Sequence, residues 1–168
     1  NNMENAVNLR LFGVFGKYED WRTRFISNAI CRAIHGLPIV IYQDTAFDYL
    51  YIDDLLNVIE WFLNNNSQKK TYNVCANSVN LLTELAEIIL NVLNKKLPVE
   101  VTRTGYGLEY SGNNSLLLSE MGNLGFAPIR ESIKNLCAWY TAHIDLIPYQ
   151  EIKENKRVEF LMQEAESK

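Results

Sequence analysis

Two adjacent carboxylates, Asp53 and Asp54, close an aromatic stretch of the sequence, FDYLYIDDL at residues 47–55. A pair of acids can divide the work of general acid and base when both face one reacting atom, which sequence neighbours rarely do. A helical pattern, LLNVIEWFLNN, follows them directly. An acid at the start of a helix accepts a hydrogen bond from an N–H group that has no partner within the helix. The sequence therefore predicts that Asp53 and Asp54 cap a helix, with Asp53 as the first choice.

Other residues that could do chemistry are few and far apart. Cys31, Cys75 and Cys137 are odd in number and form no CxxC pair, which argues against a disulfide framework or a zinc site. His35 and His143 follow helical patterns, where a charge or packing role at a helix C-terminus is a better interpretation than catalysis. We therefore expect no metal site and no catalytic residue in this sequence.

Composition narrows the class of protein. The chain has 168 residues, 48% hydrophobic and 21% charged, with a formal net charge of −4. This balance is ordinary for a globular protein and gives no reason to expect nucleic acid or an anionic membrane as a partner. The sequence opens NNMENAV and shows no signal peptide, so we expect a cytoplasmic protein of which this chain is one piece.

Periodicity predicts alternating strands and helices. Alternating or β-branched runs predict strands at residues 7–12, 38–42, 47–52, 71–75 and 98–102. Helical spacing predicts helices at residues 21–35, 55–65, 81–93, 115–126 and 131–143, the third capped by Asn80. Residues from Tyr149 onward are rich in charge and predict a helical tail that can be detached from the core. The pattern indicates an α/β fold with some parallel pairing but too few strands for a full doubly wound sheet.

Five motifs in this order resemble the C-terminal part of the extended short-chain dehydrogenase/reductase family, the NAD-dependent sugar-nucleotide epimerases, dehydratases and reductases. They are LRLFGVFG (9–16), FISNAICRAIHGLPIVIY (25–42), FDYLYIDDL (47–55), TYNVCANSVNLLTELAEII (71–89) and LGFAPIRESIKNLCAWY (124–140). The resemblance implies the C-terminal portion of an extended Rossmann-type fold: an incomplete parallel sheet plus a small α/β substrate subdomain. It also implies a substrate-binding part at residues 1–145, followed by a charged, helical tail at 146–168.

The cofactor and catalytic motifs of that family are not found here. Gly13 and Gly16 form only G-x-x-G, with Glu19 where a third glycine would fall. The one Tyr-x-x-x-Lys match, Tyr149 to Lys153, lies in the charged tail and is better explained as a coincidence. The resemblance implies no cofactor in this chain, with NAD or NADP bound by a missing N-terminal dinucleotide-binding half.

The resemblance also implies where a nucleoside-diphosphate sugar would bind. The family commonly places an arginine just before the aspartate–aromatic run, but this sequence has Phe47 there. Its second arginine, in an Arg-x-Gly context, corresponds to Arg103, and a nearby aromatic position corresponds to Tyr49. A guanidinium binds phosphate oxygens in a bidentate fork, so we expect Arg103 to hold the diphosphate.

Three further cations could replace the charge that is lost at Phe47. They are Lys17, Arg22 and Arg24, which lie around the first long loop. The alternative is that these side chains are the solvated start of a helix, and that Arg103 forms a surface ion pair.

Three functions remain open from the sequence. The first is the sugar-nucleotide-binding portion of an NAD(P)-dependent epimerase, dehydratase or reductase, catalytically incomplete by itself and possible as a homodimer. The second is a non-catalytic binding or interaction module with that fold. The third is a reductase-like protein with a non-nucleotide substrate, which Phe47 favours.

Overall fold

The computed structural model describes residues 6–122 and 125–155. The strands of these residues are β1 (Asn8–Leu11), β2 (Val14–Phe15), β3 (Ile39–Asp44), β4 (Ala46–Asp48), β5 (Leu50–Tyr51), β6 (Thr71–Val74), β7 (Val79–Leu81) and β8 (Val99–Tyr106). The helices are α1 (Phe25–Ile34), α2 (Ile52–Asn64), α3 (Leu82–Val92), α4 (Ser115–Met121), α5 (Ile129–Ala142) and α6 (Tyr149–Lys153). A 3-10 turn, Ile144–Leu146, joins the last two helices.

Pairs of strands, most of them parallel, form the sheet structure. In parallel, β1 pairs with β6, β2 with β5, and β3 with β8. Strands β4 and β7 pair antiparallel. Every parallel partner is distant in sequence and is reached through at least one helix, as parallel pairing requires. The predicted α/β architecture with an incomplete parallel sheet is therefore confirmed.

Helices α1, α3 and α5 bury their apolar faces in one large core. The spacing that predicted α1 places Ile26, Ala29, Ile30 and Ala33 on one face, and all four are buried. A second, smaller cluster lies between α2, β5, β6 and α4. Burying each large aliphatic side chain contributes about 1.5–3 kcal/mol, so these faces account for the association of the helices.

The FDYLYIDDL stretch does not form the single strand that was predicted at residues 47–52. Strand β4 pairs with β7 and β5 pairs with β2, so the run is divided at Tyr49. Helix α2 begins at Ile52, one residue before the aspartates, and no side chain caps its first turn. Asp53 is exposed, whereas Asp54 is buried and accepts a hydrogen bond from the N–H of Ala127. The prediction that Asp53 is the cap is therefore wrong, because the apolar Ile52 already belongs to the helix.

Buried carboxylates connect distant segments in two more places. Asp48 is fully buried and accepts hydrogen bonds from the N–H groups of Ala76 (2.8 Å) and Asn77 (3.0 Å). Asp44 accepts hydrogen bonds from the backbone N–H and the hydroxyl of Thr83, in the first turn of α3. Asp44 therefore performs the capping role that the sequence assigned to Asn80, since Asn80 itself lies in β7.

The first part of the charged tail packs against the core. Ile147 and Ile152 are 1% and 0% exposed and belong to the large cluster. Arg32 donates a hydrogen bond to the carbonyl of Ile152, and the side chain of Asn155 donates one to the carbonyl of Arg22. The segment from Tyr149 to Asn155 is therefore packed against the core, whereas the sequence indicated a tail separate from it. That the core folds without this segment stays a prediction, and residues 156–168 lie outside the described part.

The cysteines lie in the protein interior, and the two histidines lie at helix ends. All three cysteines are free and buried. His35 and His143 follow the last residues of α1 and α5, which confirms their positions at helix C-termini. In the residues that the structure describes, no helix is both long and apolar enough to cross a bilayer.

Candidate functional site

A cleft of about 1020 Å³ runs between β1, β4, the start of α1 and the segment that follows β8. The helix supplies Phe25 and Ile26, and the end of β3 supplies Tyr42 and Gln43. This volume is at the upper end of the range for small-molecule sites, which are concave and mostly apolar with a few polar groups. The cleft is therefore the candidate ligand site.

Four aromatic side chains form one continuous surface of the cleft, which we call the aromatic wall: Phe12, Phe47, Tyr49 and Tyr110. The rings of Phe47 and Tyr49 are stacked with their centroids 5.4 Å apart. Tyr110 bridges the wall, with its centroid 5.6 Å from Phe47 and 5.5 Å from Phe12. These separations are in the usual range for aromatic pairs that stabilise one another.

The loop of residues 17–24, which we call the arginine loop, brings two cations to the cleft. Asp20 organises it by accepting hydrogen bonds from the N–H of Arg22 (3.1 Å) and the hydroxyl of Thr23 (2.9 Å). The hydrogen bond from Thr23 is the main cause that lowers the pKa of Asp20. Arg22 also donates to Glu151 at 2.6 Å, so acidic groups already offset part of its charge. Arg24 lies at the N-terminus of α1, where its backbone precedes the first helical turn.

The loop also presents one acid, Glu19, which is half-buried at the cleft surface. Its carboxylate accepts a hydrogen bond from the buried hydroxyl of Ser27. Burial raises the pKa of Glu19, while the hydrogen bond from Ser27 and the positive charge of Arg24 act in the opposite direction. Among the described residues that line the cleft, Glu19 is the acid and Arg22 and Arg24 are the cations. The loop can thus offer both signs of charge to a ligand.

The predicted site residues separate into two groups. Tyr49, Arg22 and Arg24 line the cleft, whereas Lys17 and Arg103 are not among its lining residues. Arg103 lies within β8, which continues to Tyr106, whereas the sequence predicted that this strand ends at residue 102. Its guanidinium lies 5.9 Å from the ring of Tyr42, a cleft residue, so Arg103 reaches only the border of the cleft.

Sequence reasoning missed Glu19, Phe12 and Tyr110 as cleft residues. The sequence indicates only a strand and a family-like motif around Phe12, and it assigns no role to Tyr110. Three backbone hydrogen bonds place the loop that carries Tyr110 against β3 and β4: Gly107 N–H to Asp44 O, Tyr110 N–H to Ala46 O, and Asp48 N–H to Tyr110 O. Nothing local in the sequence signals these pairings.

The surroundings of the thiols and acids bear on nucleophilic and metal chemistry. Burial raises the pKa of Cys75 to about 11 and that of Cys137 to about 12, so neither is a thiolate at neutral pH. Across residues 6–122 and 125–155, no group of three His, Cys, Asp or Glu side chains lies close enough to hold a metal ion.

Comparison with known protein families finds a match in the first half of the chain. Residues 2–75, which include β1 to β6 and three residues of the aromatic wall (Phe12, Phe47 and Tyr49), match the sequence model of the NAD dependent epimerase/dehydratase family. The match covers less than half of the 168-residue chain. No curated protein sequence matches the chain.

Solved structures of sugar-nucleotide enzymes share the epimerase/dehydratase fold with this chain. A dTDP-glucose 4,6-dehydratase from Bacillus anthracis, in complex with NAD, superposes with a TM-score of 0.70 at 20% identity, over 82% of this chain and 45% of that one. A GDP-L-fucose synthetase from Naegleria fowleri, bound to NADP, superposes with a TM-score of 0.72 at 13% identity. The superposition covers 83% of this chain and 46% of that one. A UDP-glucose 4-epimerase from Thermotoga maritima, with UDP-glucose, superposes with a TM-score of 0.66 at 16% identity. The superposition covers 81% of this chain and 46% of that one. The chain spans less than half the length of these proteins.

The glycine motif of this chain does not fit a dinucleotide. A Cβ atom at Gly16 would lie 2.3 Å from Cγ2 of Ile52, and one at Gly13 would lie 2.9 Å from the carbonyl of Asp48. Gly13 therefore packs against Asp48 and Tyr49, and Gly16 packs against Ile52 at the start of α2. Strand β2 follows Gly13, where a dinucleotide site needs a helix N-terminus. The pair Tyr149 and Lys153 lies in α6 and does not line the cleft. We derive no reaction step from either motif.

Proposed function

We propose that this chain is the sugar-nucleotide-binding portion of an NAD(P)-dependent epimerase, dehydratase or reductase. The observation that carries the proposal is the single cleft that combines the aromatic wall with Arg22 and Arg24. A nucleoside-diphosphate sugar needs cations for its diphosphate and apolar or aromatic surface for its rings. In this proposal NAD or NADP, with the catalytic tyrosine and lysine, belongs to residues outside this sequence.

Arg24 is the better candidate to meet the diphosphate. Arg22 is held by Asp20 and Glu151, so using it would require breaking a 2.6 Å ion pair with Glu151. Arg24 is exposed at the N-terminal end of α1, where unpaired N–H groups add to the attraction for an anion. We therefore assign the main phosphate contact to Arg24, with Arg22 supporting the loop and Arg103 contributing from the border.

Calorimetric titration of the 168-residue chain with UDP-glucose, GDP-mannose and dTDP-glucose tests the proposal. We expect one of these ligands to bind, and Arg24→Ala to weaken that binding by about 10-fold or more, the scale of a charged hydrogen bond. Arg130→Ala is the matched control, because Arg130 is exposed and does not line the cleft. Equal affinities for the wild type and Arg24→Ala would contradict the assignment, and no binding by any of the three would contradict the proposed function.

Phe47 favours a second candidate, a reductase-like protein with a non-nucleotide substrate. An apolar ring at this place in the cleft offers no donor to a phosphate oxygen. If uncharged substrates bind the chain while all three sugar nucleotides fail, this second function replaces the first.

A further inference from the structure

We propose that α6 is a strap that withholds Arg22 from the cleft, because Glu151 on this helix competes with an anionic ligand for the guanidinium. Opening of this ion pair adds one positive charge to the cleft. The inference rests on the proposed function in one respect, that a ligand with a negatively charged group enters the cleft. It goes beyond that function by making the affinity for the anion depend on a helix that does not line the cleft.

The guanidinium of Arg22 has contacts on several sides. Its Nη2 donates to Glu151 at 2.6 Å, its Nη1 lies 3.7 Å from Asp20, and its centre lies 4.3 Å from the centre of the Trp21 ring. The carboxylate of Asp20 also accepts hydrogen bonds from the N–H of Arg22 and the hydroxyl of Thr23. Among these contacts of the guanidinium, the shortest therefore comes from α6 and not from the arginine loop.

The ion pair can open without disturbing the core. The side chains of Arg22 and Glu151 are 55% and 49% exposed. An exposed pair of this kind contributes about 5-fold or less to an equilibrium constant. Arg22 also borders a second cavity of about 460 Å³, which Trp139 and Leu146 line together with part of the arginine loop. Because Arg22 borders both cavities, its side chain has space to turn from Glu151 to the cleft.

Buried contacts hold the strap itself in place. Ile152 is fully buried, and its carbonyl accepts a hydrogen bond from the buried guanidinium of Arg32 at 3.2 Å. Just after the helix, the side chain of Asn155 donates to the backbone carbonyl of Arg22 at 2.9 Å. The helix therefore keeps Glu151 beside Arg22, and a tethered anion acts at a high effective concentration against a free one.

The other charges of the cleft give this ion pair its consequence. Glu19 and Arg24 both line the cleft, and the positive charge of Arg24 acts to lower the pKa of Glu19 against the effect of burial. These two charges therefore partly offset each other. While Arg22 is paired with Glu151, the cleft has little net positive charge to offer an anion. A released guanidinium can bind phosphate oxygens in a bidentate fork.

Calorimetric titration of the full 168-residue chain tests the inference, with inorganic pyrophosphate, UDP-glucose, GDP-mannose and dTDP-glucose as probes. The proteins compared are the wild type, Glu151→Gln, Arg22→Ala and the double variant that carries both substitutions. Glu154→Gln is the matched control, because it removes the same charge from an exposed position just after α6. Thermal melts establish that each variant is folded.

Glu151→Gln should bind pyrophosphate about 2- to 5-fold more tightly than the wild type, the scale of the ion pair that it removes. In the Arg22→Ala background the same substitution should have no effect, since no guanidinium is left to release. Glu154→Gln should bind pyrophosphate as the wild type does. A purely structural role of Glu151 predicts the opposite, because loosening the loop would weaken binding.

Three results would overturn the inference: an unchanged or weaker affinity in Glu151→Gln, a gain that persists with Arg22→Ala, or an equal gain in Glu154→Gln. In each case the proposed function still stands if a sugar nucleotide binds and Arg24→Ala weakens that binding. A gain for pyrophosphate that requires Arg22, without binding of any of the three sugar nucleotides, would support the inference and overturn the proposed function. If no probe binds the wild type or Glu151→Gln at millimolar concentration, both are overturned.

Discussion

Asp54, in the first turn of α2, accepts a hydrogen bond from the backbone N–H of Ala127, which lies 73 residues further along the chain, with 3.2 Å to Oδ2. Ala127 immediately precedes Pro128, the N-cap residue of α5. The carboxylate therefore connects the start of one core helix to the start of another. Burial raises the pKa of Asp54, and the hydrogen bond from Ala127 opposes that shift.

Asp54→Ala should lower the free energy of unfolding by about 1.5–3 kcal/mol, because it leaves the N–H of Ala127 without its charged acceptor. Asp53→Ala should cost less than about 1 kcal/mol, the scale of a favourable interaction with the helix dipole. Asp54→Asn, which keeps an acceptor, should fall between the two. Urea denaturation measures all three, and equal losses for Asp53→Ala and Asp54→Ala would contradict this assignment.

Glu19 should make stability depend on pH above 4.5, the ordinary pKa of its side chain. Its pKa is raised in the folded state, so between the unfolded and folded values the folded protein binds more protons than the unfolded chain. Stability from this group is present below 4.5 and is lost as the pH rises through the folded pKa. Urea midpoints from pH 4 to pH 8 should therefore show Glu19→Gln gaining on the wild type as the pH rises. A constant difference between the two proteins across that range would refute the prediction.

Ile152→Ala should destabilise the protein by about 2–5 kcal/mol, the range for truncating a buried aliphatic residue. Tyr149→Ala, at a position 46% exposed on the same helix, is the matched control and should be close to neutral. A chain that ends at Pro148 should be less stable than the full chain, because it lacks the buried side chain of Ile152. The shorter chain also lacks Glu151 and Asn155, which hold Arg22. Cooperative melting of the Pro148 chain at the wild-type temperature would show that α6 is dispensable.

Gly16→Ala should cost about 1–3 kcal/mol, as overpacking does, because the new methyl group would overlap the side chain of Ile52. Gly125→Ala is the control, since no atom lies within 4 Å of the position of its added Cβ. Thermal and urea unfolding compare the two variants. Similar stability in both would mean that Ile52 moves aside freely.

The sequence alone predicted the features that depend on local preference. Helix α1 shows this, because apolar spacing from Phe25 to Ile34 and the Gly36–Pro38 exit specify both a helix and its end. The four residues before it, 21–24, were wrongly included in the helix. Backbone hydrogen bonds from Thr23 and Arg24 to the carbonyl of Asp20 make a turn there instead.

Only part of the candidate site could be predicted. Tyr49 was selected through motif resemblance, and Arg22 and Arg24 as cations near the first long loop. All three line the cleft, but Lys17 and Arg103 do not. The division of the substrate-binding part and the tail at residues 145 and 146 stays a prediction. What the sequence could not provide is the length of β8, whose pairing with β3 continues past Arg103.

Only the tertiary structure decided which residues that are distant in sequence lie in contact. Phe12, Phe47 and Tyr110 come from three segments separated by tens of residues. Backbone pairing brings the ring of Tyr110 to 5.5 Å from that of Phe12 and 5.6 Å from that of Phe47. The hydrogen bond between Asp54 and Ala127 also joins residues that are distant in sequence, and so does the packing of Ile152 in the core. Helical periodicity is a property of neighbouring residues, so sequence reveals it. The aromatic wall depends on non-local hydrogen bonds and packing, for which the sequence carries no fixed spacing.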